Sequence, residues 1–225
     1  SAQALSPALS PDGKWLAWAA MKRPTYEADR LVIQLGEIST NKIVALTEGW
    51  DRSVDSIAWA ADSKSLLVTA RDNFDKPLFR VDVPSGKVTR LTGDGSVGEV
   101  APDPKGGAVV TMDSLTAPAD LFHVDAKGKS TRLTSVNADK LADITMPRAI
   151  KFSFKGAGGE TVWGYQVDDI GMVENRSVPV AFLVHGGPQS TCGNGWSYRW
   201  NAAVFAGAGY AAILIDFHGP TGHGQ

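Results

Sequence analysis

A single cysteine, Cys192, stands in 225 residues. That excludes an intrachain disulfide framework and a cysteine-ligated zinc site, and leaves the redox compartment open. An excess of either charge is also missing: Lys+Arg 22 against Asp+Glu 24 leave a formal net charge of −2. Near neutrality argues against a phosphate-tracking nucleic-acid binder and against a polybasic membrane anchor. Long hydrophobic runs are absent too. The longest, Val178 to Val184 and Tyr210 to Ile215, have the length of strands, so no transmembrane helix is expected. The first residues, SAQALSPALSPDG, show no initiator Met, no basic stretch and no apolar stretch, and are not read as a signal peptide. What is present is enough apolar side chain for a core (43%) and a turn-rich composition, with Gly 24 and Pro 12. The length suits one large domain or two small ones.

The first 134 residues repeat. Leu9-Ser-Pro-Asp-Gly-Lys-Trp-Leu-Ala-Trp18, Ala58-Trp-Ala-Ala-Asp-Ser-Lys-Ser-Leu-Leu67 and Val100-Ala-Pro-Asp-Pro-Lys-Gly-Gly-Ala-Val109 each place an Asp turn ahead of a short apolar strand. The aspartates are Asp12, Asp62 and Asp103, spaced 50 and 41 residues apart. A second marker runs in phase. Leu78 to Thr92 matches Leu121 to Thr134, with a looser copy at Ile33 to Thr47, so the closing threonines fall at 47, 92 and 134. A period of 40–50 residues built from short strands and Asp/Gly/Pro turns is the signature of β-propeller blades; a β-sandwich is the competing reading. Three blades do not close a ring, so further blades are expected upstream or from another chain.

The pattern changes after residue 134. Residues 135–149 read as a linker with a short helix. Residues 151–167 read as a β-hairpin around Gly156, Gly158 and Gly159. Val178 to Val184 reads as a buried central strand ending in His185-Gly186-Gly187-Pro188-Gln189. Ser197 to Ala208 reads as a helix packing Trp200, Val204 and Phe205 on the sheet, and Tyr210 to Ile215 as a second buried strand. Strand, loop, helix, strand is the opening of an α/β sheet. The assignment is therefore a partial propeller over 1–134, a linker over 135–149, and the start of an α/β-hydrolase domain over 150–225.

His185-Gly186-Gly187-Pro188 after an apolar strand resembles the oxyanion-hole loop of α/β-hydrolases, where glycines let a backbone N–H approach the developing oxyanion. The second donor in such enzymes follows a nucleophilic serine in Gly-x-Ser-x-Gly. No Gly-x-Ser-x-Gly occurs here: Gly195-Trp-Ser197-Tyr-Arg199 and Gly128-Lys-Ser130-Thr-Arg132 both fail at the last position. The chain thus holds half an oxyanion hole and no catalytic triad.

Blades with SPDGK turns, a hairpin, VHGGPQ and then WSYRWNAAVFAGAGYAAILIDFHGPTGHGQ resemble the prolyl oligopeptidase family of serine peptidases. MKRPTYEADR (21–30) and the Tyr-Arg-Trp-Asn run after HGGPQ resemble its dipeptidyl-peptidase and acylaminoacyl-peptidase branch. Gly219-Pro220-Thr221-Gly222 departs from the Gly-Ser-Thr-Gly usual there. The resemblance implies acyl transfer to a serine followed by hydrolysis, on peptides cut near their N-terminus, behind a propeller that restricts access. It implies Gly187 as the oxyanion donor, Gly186 as its neighbour and His185 as a loop-orienting group. It also favours a periplasmic or secreted protein. The 225 residues alone are expected to be inactive.

A dipeptidyl peptidase must hold an α-ammonium, which paired carboxylates do through charge-assisted hydrogen bonds. Tyr26, Glu27, Asp29 and Arg30 form a polar cluster that would suit, with Glu27 or Asp29 as anchor; a solvent-exposed loop with an internal Arg–carboxylate pair is the alternative. Asp51-Arg52 is a weaker candidate. His218 and His223 fit no zinc spacing, and no metal or cofactor is expected. Trp15, Trp18 and Trp59 are read as blade core, and Asn175-Arg-Ser177 as a chance glycosylation triplet. A peptide is the expected partner, with self-association left open. A blocked N-terminus carries no ammonium and needs no anchor, which separates the acylaminoacyl reading from the dipeptidyl one. A propeller serving only as a binding module is the reading from another class.

Overall fold

The computed structural model describes residues 3–168, 177–187, 190–216 and 222–223. Twelve strands of the first part form three four-stranded antiparallel sheets, each a meander in chain order. The first is β1 (Ala4–Leu9), β2 (Trp15–Ala20), β3 (Val32–Glu37) and β4 (Ile43–Ala45). The second is β5 (Val54–Trp59), β6 (Ser65–Ala70), β7 (Leu78–Asp82) and β8 (Val88–Arg90). The third is β9 (Ser96–Pro102), β10 (Ala108–Ser114), β11 (Ala117–Val124) and β12 (Ser130–Arg132). These are three propeller blades, in the phase that the repeats require.

Both repeat markers have structural causes. The aspartate of each turn accepts the N–H two residues on: Lys14 to Asp12 Oδ1 at 3.1 Å, Lys64 to Asp62 Oδ1 at 2.9 Å, Lys105 to Asp103 Oδ1 at 2.6 Å. Such Asx turns are what Asp supplies at a tight corner. The closing threonine of each blade accepts an N–H of the third strand: Ile33 to Thr47 and Leu78 to Thr92 at 2.9 Å, Leu121 to Thr134 at 3.1 Å. The residue before each threonine donates back to the carbonyl of that same partner: Leu46 to Ile33, Leu91 to Leu78, Leu133 to Leu121. The Leu-Thr pair is therefore a two-point clasp that carries the chain past the end of its outer strand.

Blade faces pack on one another. All six residues of β6 are buried. Leu66 and Val68 pack toward the first blade with Ala17, Ile33 and Leu35. Leu67 packs toward the third with Val97, Ala108 and Val110. A strand alternates its side chains between faces, so a blade between two others must be buried on both, and β6 is. The Trp59 Nε1–H donates to the Ala8 carbonyl at 2.9 Å, fastening the second blade to the first. Trp59 is core as expected, whereas Trp15 and Trp18 are half-buried.

After a short helix α1 (Ala138–Leu141), β13 (Arg148–Lys155) and β14 (Thr161–Asp168) pair as the expected hairpin. β15 (Val180–Leu183) and β16 (Ala211–Asp216) run parallel, linked through α2 (Ala202–Gly207), in the sheet order β13-β14-β16-β15. Two expectations are corrected. The apolar run at 178–184, expected to be buried, forms a strand only over Val180–Leu183 and is half exposed among the described residues. Val180, Phe182 and Val184 are 61%, 53% and 64% exposed, because no described residue covers that face. The helix is also shorter than 197–208. The Ser197 hydroxyl accepts the N–H groups of Arg199 and Trp200, and Asn201 then caps the helix by accepting from Ala203. Its buried positions are Ala202 and Ala206, whose small side chains admit close approach to the sheet; Phe205 packs beside them, while Trp200 and Val204 face outward.

Two glycines with the same backbone test the contact between blades. Gly13 (φ +70°) faces open space, whereas a Cβ on Gly86 (φ +71°) would collide with the Leu46 carbonyl oxygen of the preceding blade. Gly13→Ala is expected to cost about 1 kcal/mol, the left-handed penalty alone. Gly86→Ala should cost clearly more. Thr92→Val, which strips a buried N–H of its acceptor, should cost about 1–3 kcal/mol. Urea unfolding midpoints of the three variants check the order.

Candidate functional site

Parallel strands end together. The carboxyl ends of β15 and β16 lie side by side, the position at which open α/β sheets bind ligands. β15 runs into Val184, His185, Gly186 and Gly187; β16 ends on Asp216. Gly187 has φ +145°, a conformation reserved in practice for glycine. Around Gly186 a Cβ would meet nothing within 4 Å. The His185 side chain turns inward and is 6% exposed. Its Nδ1 lies 2.8 Å from the Gly186 carbonyl oxygen, which can only accept, so this nitrogen carries the hydrogen; its Nε2 lies 3.8 Å from Asp216 Oδ1.

Asp216 is the centre of the cluster, and the sequence reading missed it. Its carboxylate is wholly buried. Oδ1 accepts the Cys192 N–H at 2.9 Å. Oδ2 accepts the Thr191 hydroxyl and lies 3.2 Å from His223 Nε2. The available signal was an Asp closing the apolar run Ala-Ile-Leu-Ile, since a charge at the end of a buried strand has to be compensated. The Cys192 thiol sits between the two strand ends, 3.8 Å from the Leu183 carbonyl oxygen and 3.9 Å from that of Ile215. Burial, and after it the negative charge of Asp216, push this thiol up to about 11, so it is no nucleophile near neutral pH.

The segment 190–196 is held from its other side by the propeller. Asn194 donates through Nδ2 to Asp75 Oδ1 at 2.8 Å and accepts the Leu115 N–H at 3.1 Å. Its own N–H donates to the Phe74 carbonyl at 2.6 Å. The Trp196 N–H donates to Asp113 Oδ1 at 2.9 Å, and burial raises the Asp113 carboxyl. Asp75 also accepts the Gly95 N–H at 2.9 Å, and Lys151 Nζ lies 3.7 Å away. Phe74, fully buried, packs edge-on to Tyr165 at 5.1 Å, in one apolar cluster with Leu115, Ala202 and Ala206. A side chain of the second blade thus stands in the core of the C-terminal sheet.

The cluster at 26–30 lies elsewhere. The buried Asp29 carboxylate accepts the N–H groups of Lys22 (2.8 Å) and Arg23 (2.6 Å) and pairs with Arg23 Nε at 3.3 Å. These bonds, the Arg23 N–H first, hold it below the usual carboxylate range. Arg30 donates to the carbonyls of Trp50 and Glu48. Tyr26 is exposed with the Arg23 guanidinium over its ring at 3.9 Å, and Glu27 is exposed. Asp29 and Arg30 thus hold their own loop together, and no hydrogen bond among the described residues joins the cluster to the His185 loop. Arg52 pairs with Asp72 at 2.8 Å. His218 and the first two residues of the 175–177 triplet lie outside the described residues. Among the described residues no group of His, Cys, Asp or Glu has the arrangement of a metal site, and no helix is long and apolar enough to cross a membrane.

No family model matches the chain, but individual proteins do. Dipeptidyl-peptidase 5 of Trichophyton equinum is 33% identical over 228 residues, covering 98% of this chain and 31% of that protein. The enzyme of the same name from Arthroderma otae is 34% identical over 227 residues, with the same coverage. Among solved structures, the acylaminoacyl peptidase of Pyrococcus horikoshii superposes with a TM-score of 0.79 at 19% identity, over 95% of this chain and 32% of its own. A puromycin-hydrolyzing peptidase of Mycobacterium tuberculosis does so at 0.69 and 19%, over 99% and 35%. The chain spans about a third of the length of the curated relatives it matches. Propeller blades clamped onto the opening of an α/β-hydrolase sheet define the architecture of the prolyl oligopeptidase peptidases. The chain shares that architecture: it is a third identical, over nearly its whole length, to dipeptidyl-peptidase 5, and its fold is that of the matching third of an acylaminoacyl peptidase.

The raised thiol has a direct check. Iodoacetamide at pH 8 should leave Cys192 unmodified in the folded protein and label it promptly after denaturation, by peptide mass mapping. Native labelling should climb only as the pH approaches 11.

Proposed function

We propose that this chain is the propeller-to-hydrolase junction of a serine exopeptidase that releases dipeptides from peptide N-termini through an acyl-enzyme. In this reading the Gly187 N–H, with Gly186 beside it, donates to the oxyanion that forms when a serine attacks the scissile carbonyl. Donors placed in advance at that charge are worth more in a dry site than in water. The nucleophile and its Asp and His partners lie outside these 225 residues. The observation that carries the reading is Gly187 itself: a glycine at φ +145° on the loop leaving the carboxyl end of a parallel strand, in a chain one-third identical to dipeptidyl peptidases. His185, turned away from solvent, suits a loop-orienting part rather than a general base.

Removal of acylated residues is the second reading, supported by the fold likeness to an acylaminoacyl peptidase. The two differ in charge at the substrate terminus. A free α-ammonium calls for a carboxylate, and of the 26–30 cluster Glu27 is the acid whose side chain stands exposed.

The test uses the full-length protein with paired chromogenic substrates, one carrying a free dipeptidyl terminus and one an acetylated residue. Preference for the first is expected, with abolition by a serine-directed fluorophosphonate. Preference for the second would install the acylaminoacyl reading, and no cleavage of either would remove both. Gly187→Ala keeps the N–H but cannot hold φ +145° without strain, and the displaced donor should lower kcat by up to about 10²–10³-fold, the scale of losing one oxyanion donor. Glu27→Gln should raise KM for the free terminus alone; an unchanged KM sinks the anchor.

A further inference from the structure

We propose that Asn194 is a positioning residue through which the second and third blades set the geometry of the His185–Gly187 loop, so that the propeller acts on turnover as well as on access. The inference rests on the peptidase reading above. It comes from a run of polar contacts and one short backbone link that crosses the junction. Asp75, 2% exposed, is pinned by the Gly95 N–H at the entry to the third blade and by Lys151 of β13. It receives the Asn194 amide, whose oxygen takes the Leu115 N–H of the third blade and whose backbone N–H is held by Phe74 of the second. One residue, Gly193 at φ +63°, separates Asn194 from Cys192. The Cys192 N–H and the Thr191 hydroxyl bind the Asp216 carboxylate, and His185 Nε2 stands 3.8 Å from that carboxylate while its Nδ1 holds the Gly186 carbonyl.

A shift of Asn194 therefore reaches Asp216 across a single glycine, and reaches the loop through His185. Asn194 is 7% exposed and its side chain is engaged on both its donor and its acceptor. Its removal strands the buried Leu115 N–H and takes from the Asp75 carboxylate one of its two hydrogen-bond donors. No contact with a substrate is needed for the effect.

The experiment compares Asn194→Ala, Asn194→Asp and the exchange variant Asp75→Asn with Asn194→Asp in the full-length enzyme, on whichever terminal substrate the wild type cleaves. Asn194→Ala is expected to lower kcat about 10- to 100-fold, the scale of a small misplacement of reacting groups, with KM little changed. Inhibition by a peptide boronate, which imitates the tetrahedral oxyanion, should weaken in parallel with kcat. Asn194→Asp sets two carboxylates face to face and should be as poor or worse. The exchange variant restores one donor and one acceptor at unchanged charge and should recover most of kcat. Amide exchange over 185–196 should quicken in the first two variants and return in the third, a readout independent of turnover that also covers a variant with weakened folding. A raised KM with kcat intact, or unchanged exchange over 185–196, would overturn the proposal. A wild type that cleaves no peptide would overturn the peptidase reading instead.

Discussion

The Asp216 carboxylate has lost all contact with water, and the surroundings of the β15 and β16 termini compensate it. An uncompensated carboxylate in such a place costs several kcal/mol. Here a backbone N–H, a hydroxyl and an imidazole nitrogen are brought to it from Cys192, Thr191 and His223. Each donor lies on a different part of the chain from β16, so satisfying one charge fixes the path of two loops. His185 stands against the same carboxylate, and the glycines that follow it inherit that placement. What shapes the candidate oxyanion loop is thus a buried acid one strand away.

Fixing the loop from the sheet alone would leave segment 190–196 held on one side. The propeller supplies the other side, with Asp75, Leu115 and Phe74 on Asn194 and Asp113 on Trp196. Phe74 adds apolar burial to these polar contacts, joining a cluster made mostly by the C-terminal sheet. The two architectures therefore share a core as well as a boundary. That sharing is the physical basis for expecting blade contacts to affect chemistry and not merely the entry of substrate.

The propeller was legible because its chemistry is local and repeated. Asp12, Asp62 and Asp103 each close a turn within two residues. Thr47, Thr92 and Thr134 each clasp a strand fourteen or thirteen residues back. The β13–β14 hairpin and the two apolar strands were legible for the same reason: their periodicity depends on neighbours in the chain. Less legible was where each strand ends up. The 178–184 run has the composition of a buried strand, yet Phe182 is exposed, because no described residue packs on that face. Trp200 and Val204 are as apolar as Phe205, but the cap at Asn201 sets the phase of the helix and turns Ala202 and Ala206 inward.

The sequence by itself determined three blades, a hairpin, a parallel pair and the Gly186-Gly187 loop, all coded by residues within one turn or one repeat of each other. Only the tertiary structure decided that Asp216 stands against the residues leading into that loop, and that Asn194 reaches 119 positions back to Asp75. The reason is the range of the forces involved. Turn and strand preferences act between near neighbours and leave a pattern in the chain. A buried carboxylate and an amide between two blades draw their partners from remote segments, and such partnerships leave no spacing to read.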